Sequence, residues 1–312
     1  MKGASTPPFC IPLVKMKHNN KQEIEVKKVC PYCKSENVIK WTKRKTENRG
    51  LIQRYKCNNC NKTFTFDDGF FRMRNNNKKI TCAIDLFYRG VSTRKVQEHF
   101  KAFYPHNSDH SSILRWIRKY SVMISNFTNN LKLNIGAEVQ IDEVEYNRRK
   151  PHKQKLGNEK NWFIDSICPT TKFMVASNYY KSRGMDEVKE VIKNIKIKTE
   201  KQIKVITTDG LPAYPQAIKK VFGYSVKEQK CNVFHNRVNA SKGGGFNYPI
   251  ERLHNNLRQR TKTFRGFHGS IESANAILKG WSIYYNFITK HQTINKCPYE
   301  LATELKLNSE NK

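Results

Sequence analysis

The residues able to do chemistry fall into two sets. The first is Cys30, Cys33, Cys57 and Cys60, two Cys-x-x-Cys pairs with 23 residues between them. A Cys-x-x-Cys turn sets two thiolates on one side of a tight knuckle, and two knuckles complete a tetrahedral sulfur cage for one structural Zn²⁺. A redox dithiol needs only one pair beside a βαβ pattern, and no such pattern flanks these. The second set is three acids, Asp142, Asp209 and Glu251, each at the edge of an apolar run. Carboxylates suit two Mg²⁺ (or Mn²⁺) ions, which prefer hard oxygen ligands. Two such ions about 4 Å apart activate the attacking oxygen and stabilise the leaving one in an in-line displacement at phosphorus.

Three blocks must position these groups. Residues 1–27 read as a flexible lead-in. Residues 28–68 alternate in short pieces, "NVIKWTKRK", "LIQRYKC" and "KTFTF", which fit a small zinc ribbon. There the metal substitutes for a hydrophobic core that about 40 residues can hardly build. Phosphate donors crowd the ribbon: Lys34, Lys40, Lys43, Arg44, Lys45, Arg49, Arg54, Lys56 and Lys62. Of these, Lys43 and Arg44 are the foremost DNA-contact candidates. Trp41 and Tyr55 read first as packing residues and second as base-stacking ones. Cys10, Cys82, Cys168, Cys231 and Cys297 have no paired partner in the sequence and read as small buried apolar residues.

Residues 78–126 change to helical periodicity. "KKITCAIDLFYRGVSTRKVQEHF" predicts a helix near 79–89, a turn at Gly90-Val91 and a second helix capped by Ser92. "HSSILRWIRKYSVMISNF" predicts a third, with Ile113, Trp116, Ile117, Tyr120 and Val122 inward and Arg115, Arg118 and Lys119 outward. Three short helices with one tight turn fit a helix-turn-helix DNA-binding domain.

Residues 136–305 predict strand, strand, strand, helix, strand, helix, strand, helix, an α/β order that is that of the ribonuclease H-like fold. "AEVQIDEVEYN" holds Asp142, "QIKVITTDG" ends at Asp209, "YSVKEQKCNVF" reads as the last strand, and "YPIERLHNNLRQRTK" places Glu251 in the first turn of a long helix. In that fold an acid of the first strand meets one at the end of the fourth, and a later helix brings a third. Rival acids are Glu143 and Glu145, which strand alternation turns away from Asp142, together with Asp165, Glu228 and Glu272. His254, one turn after Glu251, faces either the site or solvent. Trp162 and Trp281 read as core.

Lys and Arg number 58 against 26 Asp and Glu, a net charge of 58 − 26 = +32 spread along the chain. Such an excess repels itself in a compact state, and a nucleic-acid partner accounts for it. No apolar run approaches the roughly 18 residues of a membrane span, and the N-terminus makes a poor signal peptide. An intracellular, nucleoid-associated protein is expected, whose nine cysteines form no disulfide framework.

The segments "QIDEVEYN", "WFIDSICPTTKFMVAS", "VITTDGLPAYPQAI", "IERLHNNLRQRTKTFRGFHGSIESANAILKGWSIYYNFITKHQTI" and "CPYELA" resemble the DDE transposases of prokaryotic insertion sequences, above all the insertion sequence six family and its archaeal relatives. The resemblance runs from about residue 28 to 305. It implies Asp142, Asp209 and Glu251 as the catalytic, Mg²⁺-binding triad, and Arg258, seven residues after Glu251, as a contact to DNA phosphate. It implies an enzyme that binds double-stranded DNA at transposon ends, cleaves it and joins the 3′ hydroxyl to target DNA, working as a homodimer or larger homo-oligomer. Two other readings use the same features: a zinc-ribbon regulator with an inactive ribonuclease H-like domain, and a structure-specific nuclease. Forty-one residues separate Asp209 from Glu251, and "SKGGGFN" within them reads as a mobile loop.

Overall fold

A computed structural model describes residues 29–46, 50–66, 69–70, 73–104, 108–149, 158–200, 202–238, 247–262 and 267–307. The expected lead-in, Cys10, Arg49 and residues 241–246 of the expected loop lie outside the described residues. The chain forms two compact units, Met1–Cys82 and Ala83–Lys312.

The first unit holds β1 (Val38–Thr46), β2 (Gly50–Cys57) and β3 (Thr63–Phe64), an antiparallel sheet in that order, and the start of α1 (Asn77–Tyr88). Its core is small: Cys30, Cys57 and Phe64 are buried, with Val38, Tyr55 and Phe66 packed against them. Tyr55 packs as its sequence suggested, its ring 4.6 Å from that of Phe66. Trp41 does not. It is 52% exposed on edge strand β1, in a stretch where the register to β2 is interrupted between Lys40 and Lys43. Its ring lies under the Lys56 ammonium at 4.9 Å.

The second unit continues α1 and adds α2 (Thr93–Phe103) and α3 (His110–Thr128). Ser92 and Asp109 cap α2 and α3, accepting from the N–H of Lys95 and Ser111. Ile113, Trp116, Ile117 and Tyr120 form the buried face of α3, whereas Val122 is 41% exposed. Then follow β4 (Glu138–Glu145), β5 (Arg148–Arg149), β6 (Asn158–Glu159), β7 (Trp162–Ile167), β8 (Met174–Tyr180), α4 (Met185–Thr199), β9 (Val205–Thr208) and α5 (Ala213–Phe222). The rest is β10 (Tyr224–Ser225), β11 (Lys230–Cys231), β12 (Phe234–Arg237), α6 (Tyr248–Thr261), β13 (Phe267–His268), α7 (Ile271–Ile283), a π-helical turn (Tyr284–Ile288) and α8 (Tyr299–Ala302).

The central sheet has the order β12-β9-β4-β7-β8. β4, β9 and β12 run parallel, and β7 and β8 are antiparallel additions to β4. Ile141 and Ile164 point into a core with Val188, Val191, Ile192, Tyr214 and Ile218 of α4 and α5. Their neighbours Asp142 and Asp165 therefore face the other side, where His254 of α6 meets both. The fifth strand differs from expectation. Residues 224–231 form a small hairpin with Gln229 at φ 49°, and the strand of the sheet is Phe234–Arg237. As an edge strand, mostly exposed, it carries no apolar alternation to announce it. Cys168 and Cys297 are buried as expected, but Cys82 and Cys231 are partly exposed.

Gly280 fixes how α3 approaches α7. A Cβ there would overlap Tyr88 Oη and Ser121 Oγ. The Tyr88 hydroxyl is bonded to Ser121 Oγ at 2.9 Å and donates to the Ile277 carbonyl at 3.1 Å, so one buried phenol joins α1, α3 and α7.

Candidate active site

Two parallel strands create the site. Glu138, Val139 and Gln140 of β4 pair with Val205, Ile206 and Thr207 of β9. Continued two steps past Thr207, this register sets Asp142, within β4, opposite Asp209, just past the carboxyl end of β9. Ligands of α/β sheets collect at that edge, because the loops there are free to splay. Asp209 Oδ1 accepts from the Leu211 N–H at 3.0 Å, which pins the turn after β9. Asp142 Oδ1 accepts from the Glu143 N–H at 2.8 Å.

One ligand atom from each of Asp142, Glu143 and Asp209 lies within 4.8 Å of those of the other two. Glu143 is the residue the sequence turned away. Alternation does send its side chain to the α5 face, where Tyr214 Oη donates to it at 2.7 Å and Arg183 Nη1 at 2.9 Å. Beyond the last β9 partner, however, the strand no longer separates the two faces, and its carboxylate reaches the other acids. Its side chain is only 2% exposed. Arg183 is held in turn over the Trp162 ring at 4.0 Å. A half-buried Trp162 thus carries a cation rather than filling the core, whereas Trp281 is buried as expected.

Glu251 lies in the first turn of α6, exposed, and is not among the acids gathered within 4.8 Å in the described residues. It stands three residues before His254, so both occupy one helix face, and that face meets β4. Arg258 is exposed one turn further on, 3.4 Å from Asn255 Oδ1. Of the rival acids, Asp165 is fully buried, 2.7 Å from His254 Nε2. Glu145 and Glu228 pair with Lys160 and Lys230. Glu272 is in the first turn of α7.

Burial dominates the electrostatics. It pushes the Asp142 carboxyl up to about 7, with Glu143 and Asp165 adding to the effect and His254 and the Glu143 N–H opposing it. Burial also raises Glu143, against the Tyr214 hydroxyl, and Asp209 adds to the rise. For His254 burial acts downward, but the Asp165 and Asp142 carboxylates outweigh it and the imidazole is raised. Like charges crowded in this way could hold a cation.

The four cysteines also converge. Their sulfurs lie within 4.8 Å of one another, with Cys30–Cys60 at 3.6 Å and Cys33–Cys57 at 3.5 Å. A tetrahedron with metal–sulfur bonds of about 2.3 Å has edges of about 3.8 Å, so the spacing fits zinc. Both knuckles share one backbone device: the residue after the second cysteine, Lys34 or Asn61, is left-handed. Backbone N–H groups of Cys60 and Asn59 lower the Cys57 thiol, while burial and the neighbouring cysteines raise Cys33, so the metal-free cluster shares its protons unevenly. Lys43 and Arg44 are exposed on β1. On α3, Arg115 and Lys119 are exposed, but Arg118 is half-buried and its guanidinium is lowered by that burial.

No curated protein matches the chain. Residues 164–292 match a family model described as a DDE domain of the transposase type, a span that takes in Asp165, Arg183, Asp209, Tyr214, Glu251, His254 and Arg258 and begins after Asp142 and Glu143. Residues 164–292 are thus similar to a DDE domain of transposases, in a mixed α/β structure consistent with the ribonuclease H-like fold.

Proposed function

We propose that this chain is a DNA transposase of a prokaryotic insertion sequence, of the insertion sequence six kind or its archaeal relatives, which cleaves transposon ends and joins them to target DNA. The observation that carries the proposal is the meeting of Asp142 of β4 with Asp209, which follows the adjacent parallel strand β9 and lies within the span that matches a DDE domain. The donor set is all carboxylate, which suits Mg²⁺ or Mn²⁺ and not a soft metal. Asp142 and Asp209 would hold the ions, with Glu251 joining from α6. Bound there, two ions would supply an activated oxygen nucleophile and a stabilised leaving oxygen.

The chain's own groups do the rest. Arg258, exposed two turns along α6 from Glu251, is placed to neutralise a DNA phosphate. Arg183 and the Tyr214 hydroxyl oppose the rise that burial gives Glu143 and hold it beside Asp209. The cysteine cluster would hold one Zn²⁺ and make β1–β3 a zinc ribbon, with Lys43 and Arg44 on DNA. Helices α1–α3 would act as the helix-turn-helix, through Arg115, Lys119 and the partly exposed Arg118. Joining two ends in one reaction requires at least a dimer. Among the described residues no helix is long and apolar enough to cross a membrane. An intracellular, nucleoid-associated enzyme is part of the proposal. The test is incubation of purified protein and Mg²⁺ with duplexes carrying the element's own ends. Nicking and joining are expected from the wild type and neither from Asp209→Asn; identical behaviour of the two sinks the proposal.

A further inference from the structure

We propose that His254 and Asp165 form a positioning pair, one that orients Asp142 and sets the register of α6 against the sheet. Asp142 and Asp165 are direct partners across β4 and β7, so their side chains leave the sheet on the same face at neighbouring positions. Two carboxylates placed so close repel, and Asp165 has no access to water. A buried carboxylate persists only with a partner. His254 is that partner. It is 2% exposed, with Nε2 at 2.7 Å from Asp165 Oδ1 and Nδ1 at an ion-pair distance of 3.5 Å from Asp142 Oδ2. The other oxygen of Asp165 has no hydrogen-bond partner in the structure, so the histidine is its only polar anchor among the described residues.

The consequence for Asp142 is geometric. Its Oδ1 is held by the Glu143 N–H and its Oδ2 faces the imidazole, which fixes the plane of the carboxylate. The consequence for α6 is equally direct. His254 is the polar tie from this helix to both β4 and β7, and it sits between Glu251 and Arg258 on the same helix face. The pair therefore determines where both of those residues stand relative to Asp142 and Asp209. Neither His254 nor Asp165 touches the reacting phosphate; each acts through Asp142 and through α6. The inference concerns the arrangement of the acid site, and its metal-binding arm rests on the function proposed above.

Two measurements on Asp165→Asn and His254→Ala, beside wild type, decide the matter. The first is amide hydrogen exchange without metal. Exchange at residues 248–258 and 142–145 is expected to quicken at least tenfold in both variants, while α4 and α5 keep their protection. Unchanged exchange on α6 overturns the proposal. So does loss of protection throughout both helices in Asp165→Asn, the near-isosteric change, since that signals general unfolding. The second is the Mn²⁺ dissociation constant by calorimetry. A rise of roughly tenfold in both variants is expected, with partial restoration of His254→Ala by added imidazole. Quickened exchange with unaltered Mn²⁺ affinity overturns the positioning role and leaves a merely structural one. Should wild type itself bind no Mn²⁺, the proposed function falls, and the exchange result still decides whether the pair holds α6.

Discussion

At the scale of residues, the site is a balance between four carboxylates and few cations. Arg183 is the cation that faces Glu143, and it is itself braced on Trp162. Arg183→Ala leaves a nearly buried carboxylate beside Asp209 with only the Tyr214 hydroxyl as donor. Removing one partner of a buried charge costs about 1–3 kcal/mol. Melting is expected to fall by that amount and Mg²⁺-dependent end cleavage by about tenfold or more, with Tyr214→Phe showing a smaller loss; thermal melts and a cleavage time course check both. Asp142 and Asp209 were legible in the sequence because one sits on, and the other ends, a segment that reads as a strand. Glu143 was not, since alternation sends it to the other face, and its carboxylate comes near Asp142 and Asp209 only where β9 has ended. The Asp142–Asp165 pairing was not either, because it depends on the register of β7 against β4, which residue types alone do not specify.

At the scale of elements, two contacts invite measurement. Gly280 lets α7 come against Tyr88 and Ser121, and Gly280→Ala forces those helices apart. Overpacking of this kind costs about 1–3 kcal/mol or more, and loss of the Tyr88 hydrogen bonds adds to it. A lowered denaturation midpoint is expected, and one matching wild type refutes the close packing. Lys198, in the last turn of α4, donates to the Val175 carbonyl at 3.0 Å, and burial lowers it to about 8. The unfolded chain keeps that proton up to about pH 10.4. Between these values the unfolded state binds more protons, so stability rises with pH through the window, and the whole charge-burial cost is present below pH 8. Lys198→Met should accordingly raise the melting temperature at pH 7, by an amount on the order of 1–3 kcal/mol, and the gain should shrink towards pH 10. The start of α2 was readable from its cap, Ser92. The last strand was not, because polar Phe234–Arg237 earns its place by pairing with β9 alone.

At the scale of the molecule, the ribbon stands as a separate compact unit whose core contains two of its own zinc-type ligands. Cys57→Ser removes one thiolate of four. Zinc content and end binding should be lost, while the second unit keeps its cooperative melt, as atomic absorption, a binding assay and calorimetry would show; simultaneous collapse of both units would contradict this independence. The ribbon was the most legible block, since metal spacing is written directly in the chain. Trp41 was the exception, because exposure depends on which side of an edge strand is left uncovered. The Tyr88 tie has a further meaning on the proposed reading. It ties helices α1 and α3, which would grip DNA, to α7 of the body that carries Asp142 and Asp209. The second unit then acts as a ruler. One extra base pair between the gripped sequence and the cut site displaces the phosphate by about 3.4 Å and turns it by about 34°. The spacing of the element's ends would be dictated by the protein rather than chosen by the DNA.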